Sequence, residues 1–438
     1  MIQTLTDWNP WWTGQKPPSS KPRPTYLARI QKYMTSGELL FLNGVRRSGK
    51  TTLMLQAIEG LLNNGTNPKQ IFSVNFDDPA FGDVKNPLAA VLDCYHSEVY
   101  PGKDCYLFLD EIQAVPAWER QIKKYYDLGL YRIVLSGSSA HLLGTTLANL
   151  LSGRYFQIQV FPLDFTEYLA FNNVAFQDAV SLFAQKDRVC FFLNEYLSKG
   201  GFPRAAMEKD DLLRQDLLKS YYDSIIFKDI VSTHSVRKID TLKTFIHYLF
   251  TNFASLYSIK GLARLLHLDH QTATEYIRYL HDAHLVTSIP LFDYSLKIQE
   301  RNNRKAYCVD NGLRNSVSFK FSSDSGRLAE NVAFNALNRG HDQVYYWKGK
   351  GEVDFVIKNS DQTLWAINIC FSNDIPERER ESLFEFKKEF PDKSARLVIL
   401  TKDVEKIEMG IEYIPLWKWL CMLEGKGRGR GEEGQGRC

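Results

Sequence analysis

Residues 44–51 constrain this chain more than any other stretch, because they match the pattern G-x-x-x-x-G-K-[ST] at every position. The apolar run 39–42 before them is typical of a buried strand, and the periodic segment 52–62 after them is typical of a helix. A loop between a strand and a helix N-terminus turns backbone N–H groups toward an anion, with the positive end of the helix dipole behind them. The stretch therefore predicts a phosphate-binding loop.

The residues of this loop have separate expected roles. Lys50 is expected to reach the β- and γ-phosphates of a nucleotide, and the Thr51 hydroxyl is expected to bind Mg²⁺. The predicted nucleotide contacts are Gly44, Val45, Arg46, Arg47, Ser48, Gly49, Lys50, Thr51 and Thr52. A nucleotide with Mg²⁺ is the ligand that this set predicts.

Two later apolar runs end in residues that suit the same chemistry. The run 105–109 ends in Asp110 and Glu111, so Asp110 is expected to hold Mg²⁺ and Glu111 to act as general base on the attacking water. The run 132–135 leads to small hydroxyl residues, where Ser138 either senses the γ-phosphate or orients the water. The alternative is that Ser138 or Ser139 caps a helix, and the sequence leaves both interpretations open.

Composition indicates a globular protein of several domains. The chain has 438 residues, of which 44% are apolar and 24% charged, and its net charge of +3 is too small to indicate nucleic acid by itself. Seven scattered cysteines without a C-x-x-C pair argue against a disulfide framework and a zinc site. No apolar run approaches the roughly 18 residues of a membrane span, and the N-terminus lacks the order of a signal peptide. We expect a cytoplasmic protein with no membrane partner.

Both ends of the chain have a biased composition. Residues 1–24 hold five prolines and three tryptophans, which predicts a strap whose tryptophans pack against the body. Residues 421–438 are rich in Gly and Arg, which predicts a disordered tail. A solvated end and a contact with RNA are the two interpretations of that tail.

The order of these motifs resembles a prokaryotic family of AAA-type P-loop ATPases with a C-terminal domain of unknown function. The motifs that carry the resemblance are the loop itself, D-E-I-Q at 110–113, G-S-S at 137–139, L-S-G-R at 151–154 and G-G-F-P at 200–203. The resemblance implies a three-layer α/β core over residues 25–170 that binds and hydrolyses ATP. It also implies that Arg154 is an arginine finger or sensor, in cis or from a neighbouring copy in a homo-oligomer; the alternative is a surface salt bridge.

The middle of the chain predicts helices and then a winged helix. Residues 171–250 have helical rhythm and suggest a lid or linker. In residues 251–318, two short helical segments are separated by a turn and followed by an apolar run that would supply a wing. Residues 258–310 carry seven Lys and Arg against six Asp and Glu, a net charge of +1. The candidate DNA contacts are Gln271, Thr272, Thr274 and Arg278, and DNA and a protein surface remain equal alternatives as partners.

Residues 319–420 resemble a restriction-endonuclease-like core, which holds Mg²⁺ between an Asp on one strand and a Glu on the next. Asp354 matches the first acid, and Glu330 matches a helix acid that is sometimes used. Asn368 stands where the Glu is expected, and the lysine two residues later is missing. A neutral amide is a weak Mg²⁺ ligand, although Glu352 shares a strand face with Asp354 and compensates in part. We expect an inactive nuclease domain that serves as a docking or nucleic-acid surface.

The predicted architecture is therefore α/β: a P-loop core, a helical lid, a winged helix and a small nuclease-like domain. The predicted function is ATP hydrolysis coupled to a conformational change of the C-terminal half, acting on a protein client. The alternative is a nucleic-acid-binding regulatory protein that uses ATP as a switch.

Overall fold

A computed structural model describes residues 1–102, 104–138, 154–318, 325–341, 343–391 and 393–427. The predictions for Ser139, residues 151–153 and residues 428–438 lie outside the described residues. The chain divides into two compact units. The first comprises residues 1–161 with 282–284, and the second comprises residues 162–281 with 285–438.

The first unit alternates helices with strands. Its helices are α1 (Ile2–Trp8), α2 (Pro24–Met34), α3 (Lys50–Asn63), α4 (Pro87–Glu98) and α5 (Trp118–Asp127). Its strands are β1 (Leu39–Asn43), β2 (Ile71–Asn75), β3 (Cys105–Asp110), β4 (Tyr131–Gly137) and β5 (Tyr155–Gln159). The strands predicted before the loop, before the acid pair and before Ser138 are confirmed.

These five strands form one parallel sheet in the order β2-β3-β4-β1-β5. Successive residues of β1 face opposite sides of the sheet, as the strand period of two requires. Leu39 and Phe41 pack in the core with α4 and α5, and Leu40 and Leu42 pack in the core with α2 and α3. The predicted P-loop-type α/β core is confirmed. Because all strands are parallel, their carboxyl ends meet at one edge.

The N-terminal residues are ordered against this sheet. They form α1 and a 3-10 turn over Pro10–Thr13. The indole of Trp8 donates to Asp78 Oδ2 at 2.8 Å, and the indoles of Trp11 and Trp12 donate to the Ile71 carbonyl at 3.0 and 2.9 Å. The prediction that the tryptophans pack against the body is confirmed.

The second unit is longer and has two sheets. Its helices are α6 (Phe165–Phe171), α7 (Ala179–Ala184), α8 (Lys186–Lys199), α9 (Pro203–Met207), α10 (Asp211–Ser224), a π-helical stretch (Ile225–Val231), α11 (Ser232–His234), α12 (Ile239–Thr251), α13 (Ile259–Leu265), α14 (His270–Asp282), α15 (Leu296–Arg301), α16 (Asn311–Val317), α17 (Ser325–Gly340), α18 (Glu377–Glu389) and α19 (Leu416–Gly427). Its strands are β6 (Ser255–Tyr257), β7 (Val286–Ile289), β8 (Arg304–Cys308), β9 (Val344–Lys348), β10 (Glu352–Lys358), β11 (Leu364–Cys370), β12 (Ser394–Thr401), β13 (Lys406–Glu408) and β14 (Ile411–Pro415). In the described ranges, no helix is both long and apolar enough to cross a lipid bilayer.

Helix α6 packs against α8 of the second unit. Phe165 and Tyr168 pack against Tyr196 of α8, with ring centroids 5.7 and 5.1 Å apart. These contacts lie within the second compact unit, which begins at residue 162. The predicted end of the core at residue 170 stays a prediction.

A helix pair lies in the chain between β6 and β7, which belong to a small antiparallel sheet of order β6-β8-β7. The two predicted helices are present as α13 and α14, and Ser258 caps α13 by accepting from the Gly261 N–H at 3.0 Å. Strands β7 and β8 pair, but α15 lies between them in the chain, whereas a wing hairpin was expected from the apolar run 285–292. Assignment as a winged helix stays a prediction.

The C-terminal sheet is mixed, with the order β13-β14-β12-β11-β10-β9. Strands β9, β10 and β11 run antiparallel, whereas β11, β12 and β14 run parallel. The nuclease-like assignment stays a prediction. Helix α19 extends to Gly427, so the expectation of disorder from residue 421 is wrong for residues 421–427. Buried Leu416, Trp417 and Leu420 anchor this helix despite its glycine-rich end.

Candidate nucleotide-binding site

The loop after β1 needs glycine at two positions. Gly44 has φ of +141°, and a Cβ there would lie 2.2 Å from the Val160 carbonyl oxygen. Gly49 has φ of +105° and stands immediately before the first residue of α3. Arg47 also has a left-handed φ of +70°. The loop therefore turns tightly from the strand into the helix N-terminus, with no room for a Cβ at Gly44 and a left-handed backbone at Gly49 that favours glycine.

The lysine of the loop lies inside its curve. Lys50 is 4% exposed, and its Nζ donates to the Gly44 carbonyl at 2.8 Å and to the Val45 carbonyl at 3.2 Å. Arg23 supports the loop from another side, because its Nη1 donates to the Ser48 and Phe161 carbonyls, each at 3.0 Å. The ammonium is thus already held where the loop would surround a phosphate.

The first acid lies against the first turn of α3. The Thr51 hydroxyl donates to Asp110 Oδ2 at 2.6 Å, and Asn75 Nδ2 donates to the same oxygen at 3.2 Å. The Ser136 hydroxyl donates to Asp110 Oδ1. Burial raises the pKa of Asp110 and the Glu111 carboxylate adds to the rise, while the hydrogen bonds from Ser136 and Thr51 oppose it. A cation beside Asp110 would favour its charged form.

The second acid is held from both sides. Glu111 has a left-handed φ of +50°, and its Oε1 lies 3.7 Å from Nη1 of Arg46 in the loop. The same Arg46 nitrogen lies 3.7 Å from Asp77 Oδ2, beyond the end of β2. Gln113 Nε2 donates both to Glu111 Oε2 and to the Ser138 hydroxyl, the latter at 3.3 Å. The carboxylate of Glu111 is therefore oriented rather than free in a turn.

The residues present fit a nucleotide with Mg²⁺. The Thr51 hydroxyl and the Asp110 carboxylate are oxygen ligands of the kind that Mg²⁺ prefers. Two buried polar atoms, Ser48 Oγ in the loop and Gln113 Oε1 beyond β3, have no hydrogen-bond partner among the described residues. Buried polar atoms are nearly always paired, so these two suit a ligand or water that the site would take up.

The remaining predicted site residues differ in their exposure and in their position relative to the loop. Val45 is buried, whereas Arg47 and Thr52 are exposed on the loop and on α3. Arg154 is exposed and precedes β5, whose Tyr155 is level with Leu39 at the start of β1, while the loop follows the other end of β1. Four residues of strand separate these levels, roughly 13 Å at about 3.3 Å per residue. The structure does not bring Arg154 to the loop within one chain, and its role from a neighbouring copy stays a prediction.

Sequence reasoning missed several residues of this site. Asn75 and Ser136 end or nearly end the two strands that flank β3, so attention to every strand end would have found them. Gln113 belongs to the quoted D-E-I-Q motif, but no role was given to it. The pairing of Arg46 with Asp77 has no local sequence signal, because it depends on how the loop turns.

The five-stranded parallel sheet, the glycine-bearing loop after β1 and the acid pair after β3 define a P-loop nucleotide-binding domain. Residues 36–169 match a family model described as an AAA domain. Residues 191–324 and 325–419 match two models described as domains of unknown function, DUF8612 and DUF4143.

The chain belongs to the same family as the uncharacterized protein MJ1544 of Methanocaldococcus jannaschii, to which it is 30% identical over 416 residues, 89% of this chain and 90% of that protein. An uncharacterized protein of Haemophilus influenzae is 30% identical over 409 residues, 91% of this chain and 98% of that protein. Among solved structures, the Walker-type ATPase PABY2304 of Pyrococcus abyssi matches with a TM-score of 0.44 and 14% identity, over 68% of this chain and 95% of that one.

Proposed function

We propose that this protein binds and hydrolyses ATP at the loop, with Mg²⁺ held by Thr51 and Asp110. The observation that carries the proposal is the 2.6 Å hydrogen bond between Thr51 Oγ1 and Asp110 Oδ2. This bond puts the two predicted Mg²⁺ ligands side by side, although 59 positions separate them in the chain. When bound, Mg²⁺ would neutralise charge on the β- and γ-phosphates.

Side chains of the protein itself bind the phosphates and accept the proton of the attacking water. Lys50 leaves the Gly44 and Val45 carbonyls and binds phosphate oxygens, which are stronger acceptors because they are charged. Glu111 takes the proton from the attacking water, and its carboxylate is already oriented by hydrogen bonding to Gln113. In this proposal Ser138 acts through Gln113, to which it is hydrogen-bonded.

Substitution of the loop lysine tests the proposal. Lys50→Ala removes the ammonium that the loop encloses, and we expect ATP binding to be lost, together with hydrolysis, because no other buried cation of the described loop replaces it. Binding of a fluorescent ATP analogue and release of phosphate are the measurements. Lys69→Ala, at an exposed lysine of the same unit, is the matched control and should behave as the wild type. Normal hydrolysis by Lys50→Ala would contradict the proposal.

The alternative function as a nucleic-acid-binding regulator receives less support from the candidate contacts on α14. Gln271 Nε2 donates to Glu275 Oε1 at 3.1 Å, and the Thr272 hydroxyl donates to Asp269 Oδ2 at 2.7 Å. DNA phosphates approaching these side chains would meet two carboxylates. This arrangement favours a protein surface. Coupling to the C-terminal half, a protein client, a homo-oligomer and a cytoplasmic location stay predictions.

A further inference from the structure

A buried lysine lies among three carboxylates in the second unit. Lys305 Nζ is 3.1 Å from Glu330 Oε1, 2.7 Å from Glu352 Oε1 and 3.0 Å from Asp354 Oδ1. The lysine side chain is only 2% exposed. An ammonium so far from water is stable only if its partners satisfy it closely, which these three oxygens do. We call these four residues the lysine–carboxylate cluster.

The cluster joins separate elements of the second unit. Lys305 belongs to β8, which is paired on both sides, with β6 and with β7. Glu330 belongs to α17, whereas Glu352 and Asp354 are alternate residues of β10 and share one face of that strand. The backbone therefore fixes where the ammonium stands, and the ammonium links the small antiparallel sheet to the C-terminal sheet and to α17.

Further donors hold the carboxylates in place. The Ile369 N–H donates to Asp354 Oδ2 at 2.9 Å, and the Tyr307 hydroxyl donates to Glu330 Oε1 at 2.7 Å. Asn368, which stands where a second acid was expected, accepts from the Asp354 N–H at 3.2 Å and donates to the Ser382 hydroxyl at 2.9 Å. These bonds keep the carboxylates converging on one point whatever cation stands there.

The charges in the cluster do not balance. Burial opposes the charge on Lys305, but Glu330, Tyr307, Asp354 and Glu352 raise its pKa well above the ordinary value. Burial and the Asp354 charge raise the pKa of Glu330 to about 7, even beside the ammonium. A single positive charge therefore neutralises only part of the cluster. A divalent cation at the same point would neutralise more of it.

We propose that Lys305 is a built-in cation, which fills the point where these three carboxylates would otherwise bind a divalent metal ion. The ammonium thus links the elements of the second unit without a metal ion. It also keeps Glu330, Glu352 and Asp354 from binding a metal ion that could take part in catalysis. The proposal does not depend on ATP hydrolysis in the first unit.

Removing the ammonium should turn the cluster into a metal site. Lys305→Ala in the full chain, without nucleotide, leaves three converging carboxylates and a space between them. We expect a lower Tm than wild type in metal-free buffer, and a saturable rise of about 5 °C or more with Mn²⁺. Wild type should show no such rise. Electron paramagnetic resonance of free Mn²⁺ should report one additional bound ion per Lys305→Ala chain.

Two matched variants distinguish the effect of losing the lysine charge from the effect of opening a space between the carboxylates. Lys305→Met removes the charge but fills the space, so its lowered Tm should not respond to Mn²⁺. Asp354→Asn combined with Lys305→Ala should abolish the extra Mn²⁺ binding. If Lys305→Ala is unfolded without metal, recovery of folded protein on adding Mn²⁺ supports the proposal, and failure to recover contradicts it. Wild-type Mn²⁺ binding that is lost in Asp354→Asn alone would also overturn it, because the native cluster would then be a metal site.

Discussion

Gln113 links the two polar groups that the proposed hydrolysis needs at neighbouring strand ends. Its amide nitrogen donates to the Glu111 carboxylate after β3 and to the Ser138 hydroxyl after β4. A general base contributes fully only when its carboxylate points at the water that it deprotonates. In the proposed hydrolysis, Gln113 would therefore act as a positioning residue for Glu111.

Loss of this amide should slow turnover more than binding. For Gln113→Ala we expect kcat to fall about 10-fold or more, with the Kd for ATP nearly unchanged, because the base is misoriented while the loop stays intact. Steady-state kinetics and nucleotide titration measure the two quantities. Gln121→Ala is the control, since that partly exposed glutamine of α5 donates to the Pro116 carbonyl at 3.0 Å. A weakened Kd with unchanged kcat would contradict the role.

Among the residues, the sequence was sufficient to predict which side chains meet where these residues follow strands that end at the same edge of the sheet. Thr51, Asp110 and Glu111 were predicted to meet because parallel strands and the helix after the loop bring them to one edge of the sheet. Lys305 and Asp354 are 49 positions apart and meet because β8 lies beside the face of β10. No local pattern marks that encounter, since it depends on how separate elements pack.

The elements α8 and α16 meet at a point without space for a side chain. Asp310 caps α16 by accepting from the Leu313 N–H at 2.8 Å, and its other oxygen accepts from the Gly201 N–H at 2.6 Å. A Cβ on Gly312 would lie 1.9 Å from the carbonyl oxygen of Lys199, the last residue of α8. Close approach of the two backbones therefore requires glycine at 312.

A methyl group at this contact should destabilise the second unit. Gly312→Ala forces the helices apart, and we expect a loss of about 1–3 kcal/mol in the free energy of unfolding. Urea denaturation followed by circular dichroism measures it. Gly326→Ala is the matched helical control, because a Cβ there meets nothing within 4 Å, and it should be neutral or slightly stabilising. Equal stability of the two variants would show that the contact has room.

Among the elements, periodic segments and apolar runs were predictable, including the seven-residue helix α13, whereas α15 and the end of α19 were not. The strands of the parallel sheet and helix α3 followed from apolar runs and helical periodicity. Helix α15 has six residues, too few to display a helical period, and it lies in the chain between the two strands of the expected wing. The end of α19 was missed because glycines at 425 and 427 suggest disorder, whereas burial of its earlier residues holds the helix together.

In the molecule as a whole, two kinds of chemistry belong to two compact units. The nucleotide-binding loop lies in the first unit and the lysine–carboxylate cluster in the second. The match to MJ1544 spans 89% of this chain and 90% of that protein, so the corresponding regions occur together in one chain there as well. We therefore predict that the first unit hydrolyses ATP and that the lysine–carboxylate cluster of the second unit binds no metal ion.

Separation of ATP binding from ATP turnover tests whether this site cleaves ATP with Glu111 as its base. Glu111→Gln keeps the size of the side chain but removes its capacity to accept a proton. With Mg²⁺ present, we predict a Kd for ATP within about threefold of wild type and a single-turnover hydrolysis rate at least about 100-fold lower. Hydrolysis by Glu111→Gln at the wild-type rate, with ATP bound equally well, would contradict the claim that this site cleaves ATP with Glu111 as its base.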